Sequence, residues 1–328
     1  MYTIKNKHNK NVRNRKRKNM KKYLYFYNYA PNEQAICEME FKQLFHEKMI
    51  SKYYLTHQCF DYTRSVFIKG RLDIIKSSND FEDIIQYIKD KKMCYYEFKV
   101  IYLKNEITHV DYQESLEKCR QIAFPIDGSV NIQNPEIIFA ITKLEDIWYF
   151  GIYHNQTNWN EYYEKPYSYS HSLNIRDART LVNIAVGHDL SLKVVDPCCG
   201  IGTVVLEALS MGIDIKGFDI NREVSYQARM NLEHFGYQGE IIQKQDMRFL
   251  KEHYDVVILD IPYGVYSPFT HQQQIDLLKG AVSLAPVITL VSHIDMNEDL
   301  IKLGYRIIDQ ATIQKGNFLR YMTKAIQQ

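Results

Sequence analysis

The segment Val195-Asp196-Pro197-Cys198-Cys199-Gly200-Ile201-Gly202-Thr203 places an acid directly before a glycine turn, between a predicted strand and a predicted helix. Gly200 and Gly202 let the backbone approach a ligand closely. A dinucleotide pyrophosphate needs a longer glycine turn and no carboxylate facing it. Asp196 therefore suits a cofactor with a cationic amino-acid end, and Cys198 sits where it shapes the same pocket. The next predicted strand ends Gly217-Phe218-Asp219-Ile220-Asn221, where Asp219 can accept hydrogen bonds from both hydroxyls of a ribose beside Ile220. A third strand is followed by Gln245-Asp246-Met247, with Asp246 placed to accept from an adenine amine and Met247 to pack on its ring. Three acids at three successive strand tips specify S-adenosyl-L-methionine.

A fourth predicted strand ends Leu259-Asp260-Ile261-Pro262-Tyr263-Gly264, close to the Asp/Asn-Pro-Pro-Tyr signature of methyltransferases acting on planar amino nitrogens. Such a nitrogen delocalises its lone pair into the ring and is a poor nucleophile. A carboxylate (Asp260) and a carbonyl (Ile261) accepting its two N–H groups hold it in line and enrich its electron density. Tyr263 offers a face for the base, and Pro262 stiffens the turn. Ile261 stands where the signature has proline, so the loop lacks one fixed φ angle at that point.

The elements that must hold these residues follow from apolar periodicity. Residues 23–105 predict strand Tyr23–Tyr29, helix Asn32–Lys48, strands Lys52–Phe60 and Ser65–Lys76, helix Asp80–Asp90 and strand Met93–Lys104, the order of a ferredoxin-like unit. Residues 106–155 predict helix Asp111–Ala123 and two strands, with Pro125, Gly128 and Pro135 marking turns. Residues 156–170 read as a Tyr-rich linker. Residues 171–328 alternate strand and helix: Asn174 as an N-cap with Asp177 in the capping-box position, strands Lys193–Asp196, Ile215–Asp219, Glu240–Gln243, Val256–Asp260 and Val287–Ser292, and a closing hairpin around Lys315-Gly316-Asn317. The expected fold is α/β: a doubly wound, Rossmann-like, class I methyltransferase sheet with one antiparallel strand from the hairpin, preceded by an α+β module.

The net charge of +2 hides an asymmetry. Residues 1–22 hold ten Lys or Arg and no acid, which leaves a net charge of −8 on the rest. This segment reads as a disordered basic tail able to add non-specific phosphate affinity, or, with Met20 as the true start, as an over-extended beginning. The six cysteines show no zinc-ligand spacing, so no metal is expected and free thiols in a reducing, cytoplasmic setting are. No apolar run has the length of a membrane helix, and no membrane partner is expected.

With both motifs in place, the chain resembles the THUMP-domain, S-adenosylmethionine-dependent RNA methyltransferases related to the enzyme that makes N2-methylguanosine at position 10 of tRNA. Ser172-Leu173, Ala178-Arg179-Thr180-Leu181-Val182-Asn183, the glycine turn and the Asp260–Gly264 motif carry the resemblance. Cys119-Arg120-Gln121-Ile122-Ala123 through Asn134-Pro135-Glu136 extends it in outline to a THUMP-like segment at 106–155. The resemblance implies methylation of guanine N2 in structured RNA, tRNA foremost, with the THUMP region gripping an RNA end. It leaves open a small activating protein partner. Two other readings remain: the same chemistry on adenine N6 or a protein glutamine, and a non-catalytic RNA-binding protein with a vestigial cofactor pocket.

Overall fold

A computed structural model describes residues 21–155, 164–168, 173–262, 269–315 and 318–328. By its internal contacts the chain forms two units, one of residues 1–28, 51–62 and 68–157, the other of residues 29–50, 63–67 and 158–328.

The first unit is one seven-stranded sheet. Its strands are β1 (Lys22–Tyr27), β2 (Tyr53–Thr56), β3 (Ile68–Ser78), β4 (Cys94–Tyr102), β5 (Asp127–Val130), β6 (Ile137–Leu144) and β7 (Ile147–Asn155), in the order β2-β1-β3-β7-β6-β4-β5. The strands expected in two separate modules share this sheet because β7 returns to pair antiparallel with β3. β5 is a strand that periodicity does not announce: it has four residues, none of them buried, and pairs parallel to β4. A helix at Phe81–Lys91 is capped by Asp80, whose side chain accepts from the Glu82 amide, and buries Phe81, Ile84, Ile85 and Ile88. With Phe98, Phe139, Phe150 and Trp148 these residues form the core under one face of the sheet.

The second unit contains α1 (Gln34–Phe45), which the sequence pattern assigns to the N-terminal module. The reason is a buried polar network. Glu40 on α1 accepts from Ser65 Oγ at 2.5 Å and from Asn183 Nδ2 at 2.8 Å. Arg64 donates to Asn183 Oδ1 and to the Gly187 carbonyl. Arg179 donates to the carbonyls of Arg64 and Thr63 and, at 2.6 Å, to Glu207. Such groups cannot be buried singly without a large desolvation cost, so each segment depends on the others.

In chain order after α1, the first unit contributes α2 (Phe81–Lys91) and α3 (Tyr112–Ala123), and the second contributes α4 (Ile175–Val186), α5 (Thr203–Ser210), α6 (Arg222–His234), α7 (His271–Leu284) and α8 (Asn297–Lys302). Asn174 caps α4 as expected, accepting from the Asp177 amide. The second sheet runs β10-β9-β8-β11-β12-β14-β13, where β8 is Val194–Asp196, β9 Ile215–Asp219, β10 Ile242–Lys244, β11 Val256–Asp260, β12 Val287–Ser292, β13 Tyr305–Lys315 and β14 Phe318–Gln327. β8 to β12 are parallel, and the closing hairpin inserts β14 antiparallel against β12. This is the doubly wound, Rossmann-like sheet expected. The chain steps outward in one direction from β8 and in the other from β11, so the switch point lies between these neighbours. Among the described residues no helix is long and apolar enough to cross a membrane.

Candidate cofactor and substrate site

The carboxyl ends of β8, β9 and β11 bring Asp196, Asp219 and Asp260 to the switch point. Gly200 and Gly202 both have positive φ, at 54° and 82°, so the turn after β8 needs glycine at these points. Among the described residues, its chain neighbours apart, no heavy atom lies within 4 Å of where a Gly200 Cβ would stand, which leaves room for a ligand on that flank of the turn. The Asp219 carboxylate holds the turn in place: Oδ2 accepts from the Gly200 amide at 3.1 Å and Oδ1 from the Asn221 amide at 2.7 Å. Each oxygen keeps a second acceptor position, as hydroxyl recognition requires.

Asp196 is buried and accepts from the Cys198 amide at 3.3 Å. Burial raises its pKa well above the usual carboxylate range, and Asp260 and Asp219 add to the rise. Burial likewise raises Asp219. The Cys198 thiol is pushed up by burial and then by Asp196, Asp219, Asp260 and Asp246 together, so the four acids converge around it. A thiol raised this way is a poor nucleophile, and the Cys198 Sγ packs 3.9 Å from Met247 Sδ.

Those electrostatics test the cofactor. Among the described residues, the side chains that raise the Asp196 pKa are the acids Asp260 and Asp219. A ligand bearing an ammonium and a sulfonium supplies the opposing positive charge, and the residues present fit S-adenosyl-L-methionine on that ground. Ile220 is 63% exposed beside Asp219 and presents an apolar face for a purine. Met247 is 3% exposed and packs in the core with Val195, Leu259 and Leu278, so little of it is left for a ring. Asp246 caps a short 3-10 turn through the Arg248 amide, and the Arg248 guanidinium engages both of its oxygens and lowers its pKa. An adenine amine would share those oxygens with Arg248.

Ile261, the departure from the signature, is 1% exposed, and its amide donates to the Val291 carbonyl at 3.0 Å. This bond closes the last pair of the β11–β12 ladder, Asp260 opposite Val291. A proline could not make this bond. The backbone that proline would stiffen is fixed here by a hydrogen bond and a buried side chain. Pro262 is exposed, and Tyr263 lies outside the described residues.

The sequence reading missed three contributors. Thr203, the first residue of α5, accepts from Lys165 Nζ at 2.7 Å. Asn231 donates to the Ile201 carbonyl of the turn at 3.0 Å. A signal for Asn231 was present: it falls on the same helical face as Ala228 and Leu232, where a polar residue must find partners.

A family model for the RMKL-like methyltransferase domain matches residues 164–278. The region is a methyltransferase domain, and its cofactor is S-adenosyl-L-methionine. The tRNA (guanine(10)-N2)-dimethyltransferase of Methanothermobacter thermautotrophicus is 32% identical over 31% of this chain and 31% of its own length. Its counterpart in Pyrococcus abyssi is 28% identical over 41% and 43%, and that of Methanocaldococcus jannaschii 24% identical over 59% and 60%. The chain thus spans between about a third and three fifths of these relatives. Among solved structures, TrmN from Thermus thermophilus aligns over 94% of this chain and all of its own with a TM-score of 0.48 and 14% identity.

Proposed function

We propose that this protein methylates the exocyclic N2 of guanine in structured RNA, with tRNA as the foremost substrate. The observation that carries the reading is the Asp260-Ile261-Pro262 motif at the tip of β11, beside Asp196 at the switch point, where Asp260 acts electrostatically on Asp196. The tRNA-modifying names of the partial relatives point to the same substrate.

The bound cofactor supplies a methyl group on an electrophilic sulfonium. The Asp260 carboxylate and the Ile261 carbonyl accept the two N–H groups of the target amine and align its nitrogen for in-line displacement. The nitrogen gains the methyl and sheds one proton toward Asp260, with no covalent bond to the enzyme. Tyr263 supplies the stacking face, and a paired base must first leave its helix to reach it. The THUMP-like region at 106–155 is the RNA-gripping part, reading shape and single-stranded ends.

Incubation of the full chain with cofactor and, separately, total tRNA, duplex DNA and a protein extract tests the substrate class. Mass spectrometry of the digests should find N2-methylguanosine from tRNA. N6-methyladenosine or methylglutamine in its place would move the assignment to those acceptors.

A further inference from the structure

Residues 164–168 were expected to be part of a linker, yet Lys165 bonds to the cofactor turn and Tyr167 to the helix side chain that holds that turn. Asn231, fully buried on α6, uses its whole carboxamide for this. Oδ1 accepts from the Tyr167 amide at 2.9 Å, and Nδ2 donates to the carbonyls of Tyr167 and Ile201, both at 3.0 Å. One side chain thus reads both backbone polar groups of a residue in the segment and one carbonyl of the turn. Two residues earlier, Lys165 reaches the other side of the turn, where its Nζ donates to Thr203 Oγ1 at 2.7 Å. Burial lowers the pKa of this lysine, and Glu207 partly opposes the shift.

The two anchors fall on Ile201 and Thr203, the residues flanking Gly202. Gly202 has φ at 82° and Gly200 at 54°, so the turn combines two conformations that cost an unrestrained chain entropy. A segment tied to both sides of Gly202 removes that freedom before the ligand arrives.

We infer that Glu164–Ser168 forms a strap that holds the cofactor turn in its binding shape, with Asn231 and Lys165 as positioning residues. The inference rests on the cofactor reading above. Neither residue touches the reacting atoms in this account. Their effect is on cofactor affinity, through the turn, and not on the transfer step.

Calorimetry of S-adenosylhomocysteine binding to the full chain tests it, using Asn231→Leu, Lys165→Met, the double variant and Lys165→Arg. Each of the first two should weaken binding about tenfold, the order expected for loss of one buried or charge-assisted hydrogen bond. The double variant should bind little worse than the weaker single, because both anchors hold one strap to one turn. Lys165→Arg, which keeps a donor, should recover most of the loss. The KM for the cofactor should rise in the single variants while kcat at saturation stays within about twofold. Should Asn231→Leu fail to fold, the partly exposed Lys165 and its arginine rescue decide alone. A wild type that binds, with variants that bind equally well or lose affinity independently, overturns the strap and leaves the cofactor site standing. A wild type that does not bind overturns the cofactor reading and the strap with it.

Discussion

The amide of Ile261 donates to the carbonyl of Val291 at 3.0 Å, closing the last pair of β11 and β12. The bond locates the motif relative to the sheet and gives a reason for isoleucine where the amino-nitrogen signature carries proline. The substitution exchanges one source of rigidity for another.

Replacing Ile261 with proline should therefore weaken the protein without quickening it. The variant loses the hydrogen bond, leaves the Val291 carbonyl unpaired and vacates a buried side-chain site, a cost of about 2 kcal/mol or more. Urea unfolding and a methylation assay on the same preparation check this. Faster turnover at unchanged stability would show that the loop, and not the ladder, limits this position.

Stability should fall between pH 5 and pH 8 on account of Glu40. Burial raises its pKa from 4.5 to about 7, against the hydrogen bonds from Ser65 and Asn183. A carboxyl whose folded pKa lies above its unfolded value adds stability that is complete below the unfolded value and lost as pH rises through the folded one. Over that interval the loss is about 2.5 kcal/mol, from roughly 1.4 kcal/mol per pKa unit. Glu40→Gln should flatten this part of the profile. A wild-type profile that rises from pH 5 to pH 8, or one that Glu40→Gln leaves unaltered, would contradict it.

Cofactor binding should release protons in the acid range. Asp196 and Asp219 hold protons more readily than ordinary carboxylates, chiefly through burial, and a cationic ligand favours their ionised forms. Affinity for S-adenosylmethionine should accordingly rise with pH until both are ionised. Calorimetry in two buffers of different ionisation enthalpy reads the proton count, and proton uptake on binding would contradict the arrangement.

The parts of this molecule legible from its sequence are those with a local signal. Asp196, Asp219 and Asp260 are readable because each ends a strand of β-type pattern, and the doubly wound sheet follows from the alternation of such strands with helices. β5 is not, because Asp127–Val130 contains a glycine and no buried residue. The assignment of α1 escaped for a different reason. Its apolar residues tell that it packs but not against what, and the partners of Glu40 lie 25 and 143 residues away. Lys165 escaped likewise, since the polar, Tyr-rich stretch around it has the composition of a linker.

The most direct test of the account is a paired measurement on Asp260→Ala: N2-methylguanosine formed in tRNA, by mass spectrometry, beside S-adenosylhomocysteine binding by calorimetry. The account predicts that the wild type forms the product, and that the variant forms none while binding the ligand within a few-fold of wild type, because Asp260 orients the amine and other residues hold the cofactor. Product formation that survives the substitution would contradict it.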